Sequence, residues 1–157
     1  MATFLPDFIQ FFRDLAAEHV ALKGFAHGPV SRIIAGSRSE NEYPLLWLET
    51  PTLGLLDKDG TAPFGQRSSA FVVLLSVARD DYAAQDAGWA QAEAIALDVL
   101  SRLRKAHKAG EIVLSSLDNT QLEAVATLTL ANEIGWRYEF SLGDYVSLSY
   151  DKARWKS

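Results

Sequence analysis

The sequence predicts an α+β domain: a mixed, mostly antiparallel sheet of about five to six strands packed by two amphipathic helices. Three features carry that expectation. Two segments repeat apolar residues at helical spacing, one around Phe8 and one around Val99. Between them lies a short continuous apolar run, Phe71-Val72-Val73-Leu74-Leu75. The last third alternates apolar and polar residues, as half-buried antiparallel strands do.

The first helix is expected from Phe4 to Leu22, with Phe4, Phe8, Phe12, Leu15 and His19 on one face and Thr3 as its cap. Phe11 cannot share a narrow face with Phe12, so it is left as surplus apolar surface. Val30 to Ala35 reads as a short strand and Gly36 to Glu42 as a polar loop. Tyr43 to Thr50 reads as a strand, with Pro44 at its start or on an edge because it cannot donate to a ladder. Pro51 to Ser68 is a long connection between strands, carrying Gly54, Asp57-Lys58-Asp59-Gly60, Pro63 and Gly65. Such a connection inside a compact domain reads as a protruding hairpin arm. Ser69 to Ala78 is the most apolar segment, and its β-branched residues predict a central strand buried on both faces.

The second helix is expected from Asp86 to Ala109. Trp89, Ala92, Ala96, Val99, Leu103 and Ala106 form its stripe, Asp86 its N-cap, and Gly110 its left-handed terminator. After it come a short strand at Ile112 to Leu114 and an alternating strand from Leu122 to Leu130. A turn at Ala131 to Gly135 leads to a strand from Trp136 to Leu142. Gly143-Asp144 turns again into Tyr145 to Tyr150, and 151–157 is a polar tail carrying Trp155.

A chain of 157 residues, 48% of them hydrophobic, fits one domain with one real core, so 1–157 is read as a single unit. Cysteine is absent, which excludes disulfides, thiolate metal sites and a cysteine nucleophile. The first residues do not read as a secretory signal, and no apolar run is long enough to span a bilayer. A soluble, cytoplasmic-type protein is expected. The formal net charge of −5 argues against a sequence-specific nucleic-acid binder, which carries a basic surface.

No residue pattern carries recognisable chemistry, and neither metal nor cofactor is expected. His19, His27 and His107 lack the i, i+4 spacing of a helical metal site. Asp57-Lys58-Asp59-Gly60 starts like a calcium loop but lacks the later oxygen ligands, so an Asp-Gly turn is the simpler reading. Asp80, Asp81 and Asp86 suit strand termination and helix capping better than cation binding. Ser149 and Lys152 have serine–lysine spacing, but the serine falls at a strand end rather than at a helix start. Arg102, Arg104, Lys105, His107 and Lys108 crowd a helix C-terminus, where cations complement the dipole; an anion or nucleic-acid contact is the alternative. Glu49 and Glu139 are the carboxylates an unfamiliar acid–base enzyme would use if burial raised their pKa. A small-ligand or peptide-binding module, possibly a dimer, would instead line a pocket with sheet aromatics such as Tyr138 and Phe140.

The order of elements, together with Tyr43-Pro44-Leu45-Leu46-Trp47, Ser69-Ala70-Phe71-Val72-Val73-Leu74-Leu75 and the ending Gly135-Trp136-Arg137-Tyr138-Glu139-Phe140-Ser141-Leu142 with Tyr150-Asp151-Lys152-Ala153-Arg154-Trp155, resembles the tail-terminator and neck proteins of long-tailed phages. The resemblance implies a non-enzymatic subunit of a phage or tail-like particle. It implies a homo-oligomeric ring, six-fold, that caps the tail tube or joins the tail to the head, with tube or neck proteins as partners. It locates the protein in the particle, or in the host cell during assembly. Phe11 on the first helix, Leu55, Leu56 and Phe64 on the arm, and Trp155 on the tail are the candidate assembly surface.

Overall fold

The computed structural model describes residues 4–36, 40–56, 63–115, 121–126 and 132–156. One six-stranded sheet organises them. Its strands are β1 (Gly24–His27), β2 (Leu45–Leu48), β3 (Thr52–Leu56), β4 (Phe64–Ser76), β5 (Leu122–Ala126) and β6 (Glu133–Tyr145). The order across the sheet is β1-β2-β4-β6-β5, with β3 also on β4. Only β1 and β2 are parallel; every other pairing is antiparallel. The α+β class and the mostly antiparallel sheet therefore hold.

β4 and β6, of 13 residues each, pair along their whole length and form the spine. Ala70 to Leu75 are all buried, as a run apolar on both faces requires. Alternation divides the spine into two cores. Phe71, Val73, Tyr138 and Phe140 point to one face, and Val72 and Leu74 to the other.

The first face carries α1 (Leu5–Glu18) and α3 (Tyr82–Lys108). Phe8, Phe12 and Leu15 of α1 are buried there, as their spacing predicts. Phe12 and Phe140 have ring centroids 5.1 Å apart, and Phe71 lies 5.6 Å from Tyr138. The aromatic rings thus interlock helix and sheet. The α3 stripe Ala92, Ala96, Val99, Leu103 and Ala106 is buried beside them. Its small residues let the helix lie close to the strands.

The second face carries a third helix, α2 (Val30–Gly36). Here the structure corrects the expected strand at Val30 to Ala35. Ile33 is fully buried against Leu45, Trp47, Val72 and Leu74, and Ile34 is exposed. A single apolar contact per turn suits a short helix, so docking on the sheet overrides the β preference of Ile33-Ile34. The strand in this region is β1, which turns over at Gly28 (φ +121) before α2 crosses back to the parallel β2.

Other boundaries also move. α1 ends at Glu18, because His19 is already extended; Thr3, expected as its cap, lies outside the described residues. α3 starts four residues earlier than Asp86. Asp81 is its N-cap, its Oδ1 accepting from the Ala84 amide at 2.9 Å. Gly110 ends it at φ +76, as expected. Ile112 to Leu114 contributes one bridge, Leu114 to Leu142. The expected strand to Leu130 is described only to Ala126.

β6 overturns two expected turns. It runs through Gly135 and through Gly143-Asp144 to Tyr145, and no strand follows from Val146 to Tyr150. Both glycines serve close approach instead of chain reversal. A Cβ at Gly135 would overlap the Val73 carbonyl oxygen, and one at Gly143 would overlap the Phe64 ring.

β2 and β3 follow one another along the same edge of β4. Leu48 pairs with Phe71 and Thr52 with Ser68. Glu49, Thr50 and Pro51 therefore lie opposite only Ser69 and Ala70, which makes a bulge. The extra residue inverts the alternation of β3, and this decides what the arm displays.

Candidate functional site

Beyond the bulge, β3 pairs with the first residues of β4, which β6 flanks on the other side, so the expected connection at 51–68 is largely strand. Every residue of Thr52–Leu56 is exposed. Leu55 is 49% exposed and Leu56 55%. Leu56, Phe64 and Tyr145 form one row across three strands, because Leu56 pairs with Phe64 and Phe64 with Tyr145. The next row on that face is Gly54, Gln66 and Gly143. Its two glycines leave room for the half-buried Phe64 ring to lie across Gly143, with Tyr145 edge-on at 5.8 Å. Leu53 and Leu55 are displayed on the opposite face. Among the described residues β3 pairs only with β4, so its outer edge presents unpaired backbone with no charged side chain on the strand. Residues 57–62, including the Asp-Gly turn, lie outside the described residues.

The other candidates are placed apart from this row. Phe11 is half-buried, edge-on to Phe12 at 5.4 Å, with Arg102 over its ring at 5.7 Å. Packing on its own domain thus uses most of the surplus expected of it. Trp155 is 66% exposed and stacks on Tyr150, centroids 5.8 Å apart and planes 24° apart. The intervening 3-10 turn, Lys152–Arg154, is capped by Asp151, whose Oδ1 accepts from the Ala153 amide. The tail therefore displays a preformed aromatic pair. Tyr145 and Tyr150 escaped the sequence reading, which placed both in a strand; both are exposed, and register sets Tyr145 beside Phe64.

Several of the residues screened for chemistry have structural partners. His19 Nδ1 accepts from the Ala21 amide at 3.1 Å, so in the neutral ring Nε2 carries the proton and donates to Asp98 at 3.1 Å. This links the end of α1 to α3. His107 Nδ1 accepts from the Leu114 amide at 3.2 Å. His27 is pushed below its ordinary value by burial, then by Arg32 and Arg13. Glu49 and Glu139 do not form an acid–base pair: both bond to the guanidinium of Arg137. Ser149 lies in the irregular segment after β6 and is exposed. No group of three His, Cys, Asp or Glu among the described residues could hold a metal. No described helix is long and apolar enough to cross a membrane.

A cleft of about 880 Å³ lies beside α3, its described lining being residues of the last half of that helix with Leu114 and Tyr138. Tyr138 is thus at the cleft floor, whereas Phe140 is buried in the core.

Comparison with known proteins gives no match: no family model, curated protein or solved structure aligns significantly with the chain.

Proposed function

We propose that the chain is a non-enzymatic assembly subunit that associates with further copies of itself through the β3–β4 arm. The observation that carries this reading is the open edge of β3, a strand exposed along its whole length beside the Leu56–Phe64–Tyr145 row. An edge with leucines and no charge is a template for strand addition unless a partner covers it. The sheet ends in β5 on its other side, so arm and far edge are different surfaces. Joining unlike surfaces is a heterologous contact, which makes a ring where its rotation closes and a filament where it does not. The tail-terminator or neck subunit of a phage-like particle, a six-fold ring on tube or neck proteins, is the setting that the sequence resemblance implies. The exposed Tyr150–Trp155 pair is a second contact suited to such a neighbour.

Mass photometry and negative-stain imaging test the reading. Rings or other closed oligomers are expected, and Leu55→Asp with Leu56→Asp is expected to return monomers of unchanged circular dichroism. A wild-type chain that stays monomeric at every concentration and ignores tube protein would refute it. Ligand binding is the second reading, and the cleft beside α3 is what favours it.

A further inference from the structure

α3 carries two stripes. One is the core stripe of Ala92, Ala96, Val99, Leu103 and Ala106. The other, Leu97, Leu100, Ser101, Arg104, Lys105 and Lys108, recurs at three- and four-residue steps and lines the cleft. The second stripe is polarised along the helix axis. Its N-terminal end is apolar and its C-terminal end is cationic.

The cleft floor is Leu103, Leu114 and Tyr138, all buried. Among the described residues no Asp or Glu lines the cleft, in a chain with 20 acidic and 15 basic residues. Arg104, Lys105 and Lys108 form no ion pair with a described residue, although carboxylates are in excess. Arg102, on the other side of the helix, reaches both Glu18 and Glu111. Complementing the helix dipole accounts for cations in the last turn. It does not account for Arg104, which precedes that turn, nor for the apolar floor beside the cations.

We propose that this cleft binds a small amphipathic anion, an apolar chain or ring bearing one carboxylate, sulfate or phosphate head. The apolar body lies against Leu97, Leu100 and Leu103, and the head meets Arg104, Lys105 and Lys108. A cleft of about 880 Å³ has the size of a small-molecule site. Partial desolvation by the floor strengthens each charge-assisted bond to the head. The site is independent of the β3 arm, so it can succeed or fail separately from the assembly reading.

The test is isothermal titration calorimetry with decanoate and with decyltrimethylammonium, both below their micelle thresholds. Decanoate is expected to bind saturably at one site, and the cation of equal chain length not to bind. Lys105→Glu with Lys108→Glu should weaken decanoate by at least about tenfold; both residues are exposed, so the melting curve should barely move. Ser101→Trp fills the cleft without altering charge and should also abolish binding. Leu55→Asp with Leu56→Asp on the arm should leave it intact. Equal binding of the two probes, no saturable binding, or decanoate affinity unchanged by charge reversal or by Ser101→Trp would each overturn the proposal.

Discussion

Arg137 on β6 reaches across β4 to Glu49, just after β2, and holds it by two bonds: Nε to Oε1 at 2.7 Å and Nη2 to Oε2 at 2.9 Å. The strand between them contributes Ala70, which lies opposite Glu139 and whose carbonyl accepts from the Glu49 amide. A methyl group there leaves the second face open for the two side chains to meet. Arg137 Nη1 also bonds Glu139 at 2.7 Å and lies 3.8 Å from Glu123. One cation thus gathers three carboxylates, from β5, from β6 and from the bulge after β2.

Removing that cation should cost more than a surface ion pair does, because both partners are about three-quarters buried. Arg137→Met is expected to lower stability by about 1–3 kcal/mol, read from the urea midpoint. A double-mutant cycle with Glu49→Gln should return a coupling of about 1 kcal/mol or more. Hydrogen bonding to Glu49 outweighs burial and raises the guanidinium above its ordinary value. The contribution is therefore fully present below the ordinary arginine range and is lost only as pH rises beyond it.

Tyr43 supplies the alkaline response. Its hydroxyl donates to Glu133 Oε1 at 2.7 Å, and Glu133 is fully buried. Burial, then the Glu133 contact, pushes the phenol from 10.0 up to about 12. The folded chain thus keeps this proton after the unfolded chain has lost it. Stability is complete below the ordinary tyrosine value and falls as pH climbs through about 12. Tyr43→Phe should flatten that part of the stability profile, and at neutral pH should cost about 1–3 kcal/mol by withdrawing a donor from a buried carboxylate. An unchanged alkaline limb would contradict the assignment.

Two glycines should respond oppositely in size. Gly135→Ala drives a methyl group into the Val73 carbonyl on the neighbouring strand, where backbone cannot yield. A loss above about 3 kcal/mol, or failure to fold, is expected. Gly110→Ala meets nothing within 4 Å and suffers only from its φ of +76, a cost of about 1–2 kcal/mol. Thermal melts of the two variants make the comparison.

Helix capping separates Asp81 from Asp86. Asp81→Ala frees the Ala84 amide and should cost about 1 kcal/mol. Asp86 is exposed inside the helix, and Asp86→Ala should stay within about 0.5 kcal/mol. Chemical denaturation of both variants decides between the two aspartates as the start of α3.

Periodicity by itself determined the type of the long elements. Phe8, Phe12 and Leu15 had to share a helical face, Ala92 to Ala106 another, and Phe71 to Leu75 had to be buried on both sides. These patterns depend only on repeat length and hydrophobicity, which local sequence contains. Of the residues singled out for a surface, Leu55 and Leu56 are exposed, but on a sheet strand where a long connection was expected, and Phe11 is packed against Phe12 and Arg102. Tertiary structure decided the rest, because those choices depend on partners distant in sequence. Gly135 and Gly143 look like turn residues until Val73 and Phe64 are brought against them. Ile33-Ile34 looks like a strand until the face of Trp47 and Val72 offers one apolar socket. The parallel pairing of β1, the bulge at Glu49 to Pro51 that turns Leu56 towards Phe64, and the reach of Arg137 to Glu49 all arise from register between strands. The sequence of any one strand does not contain that register.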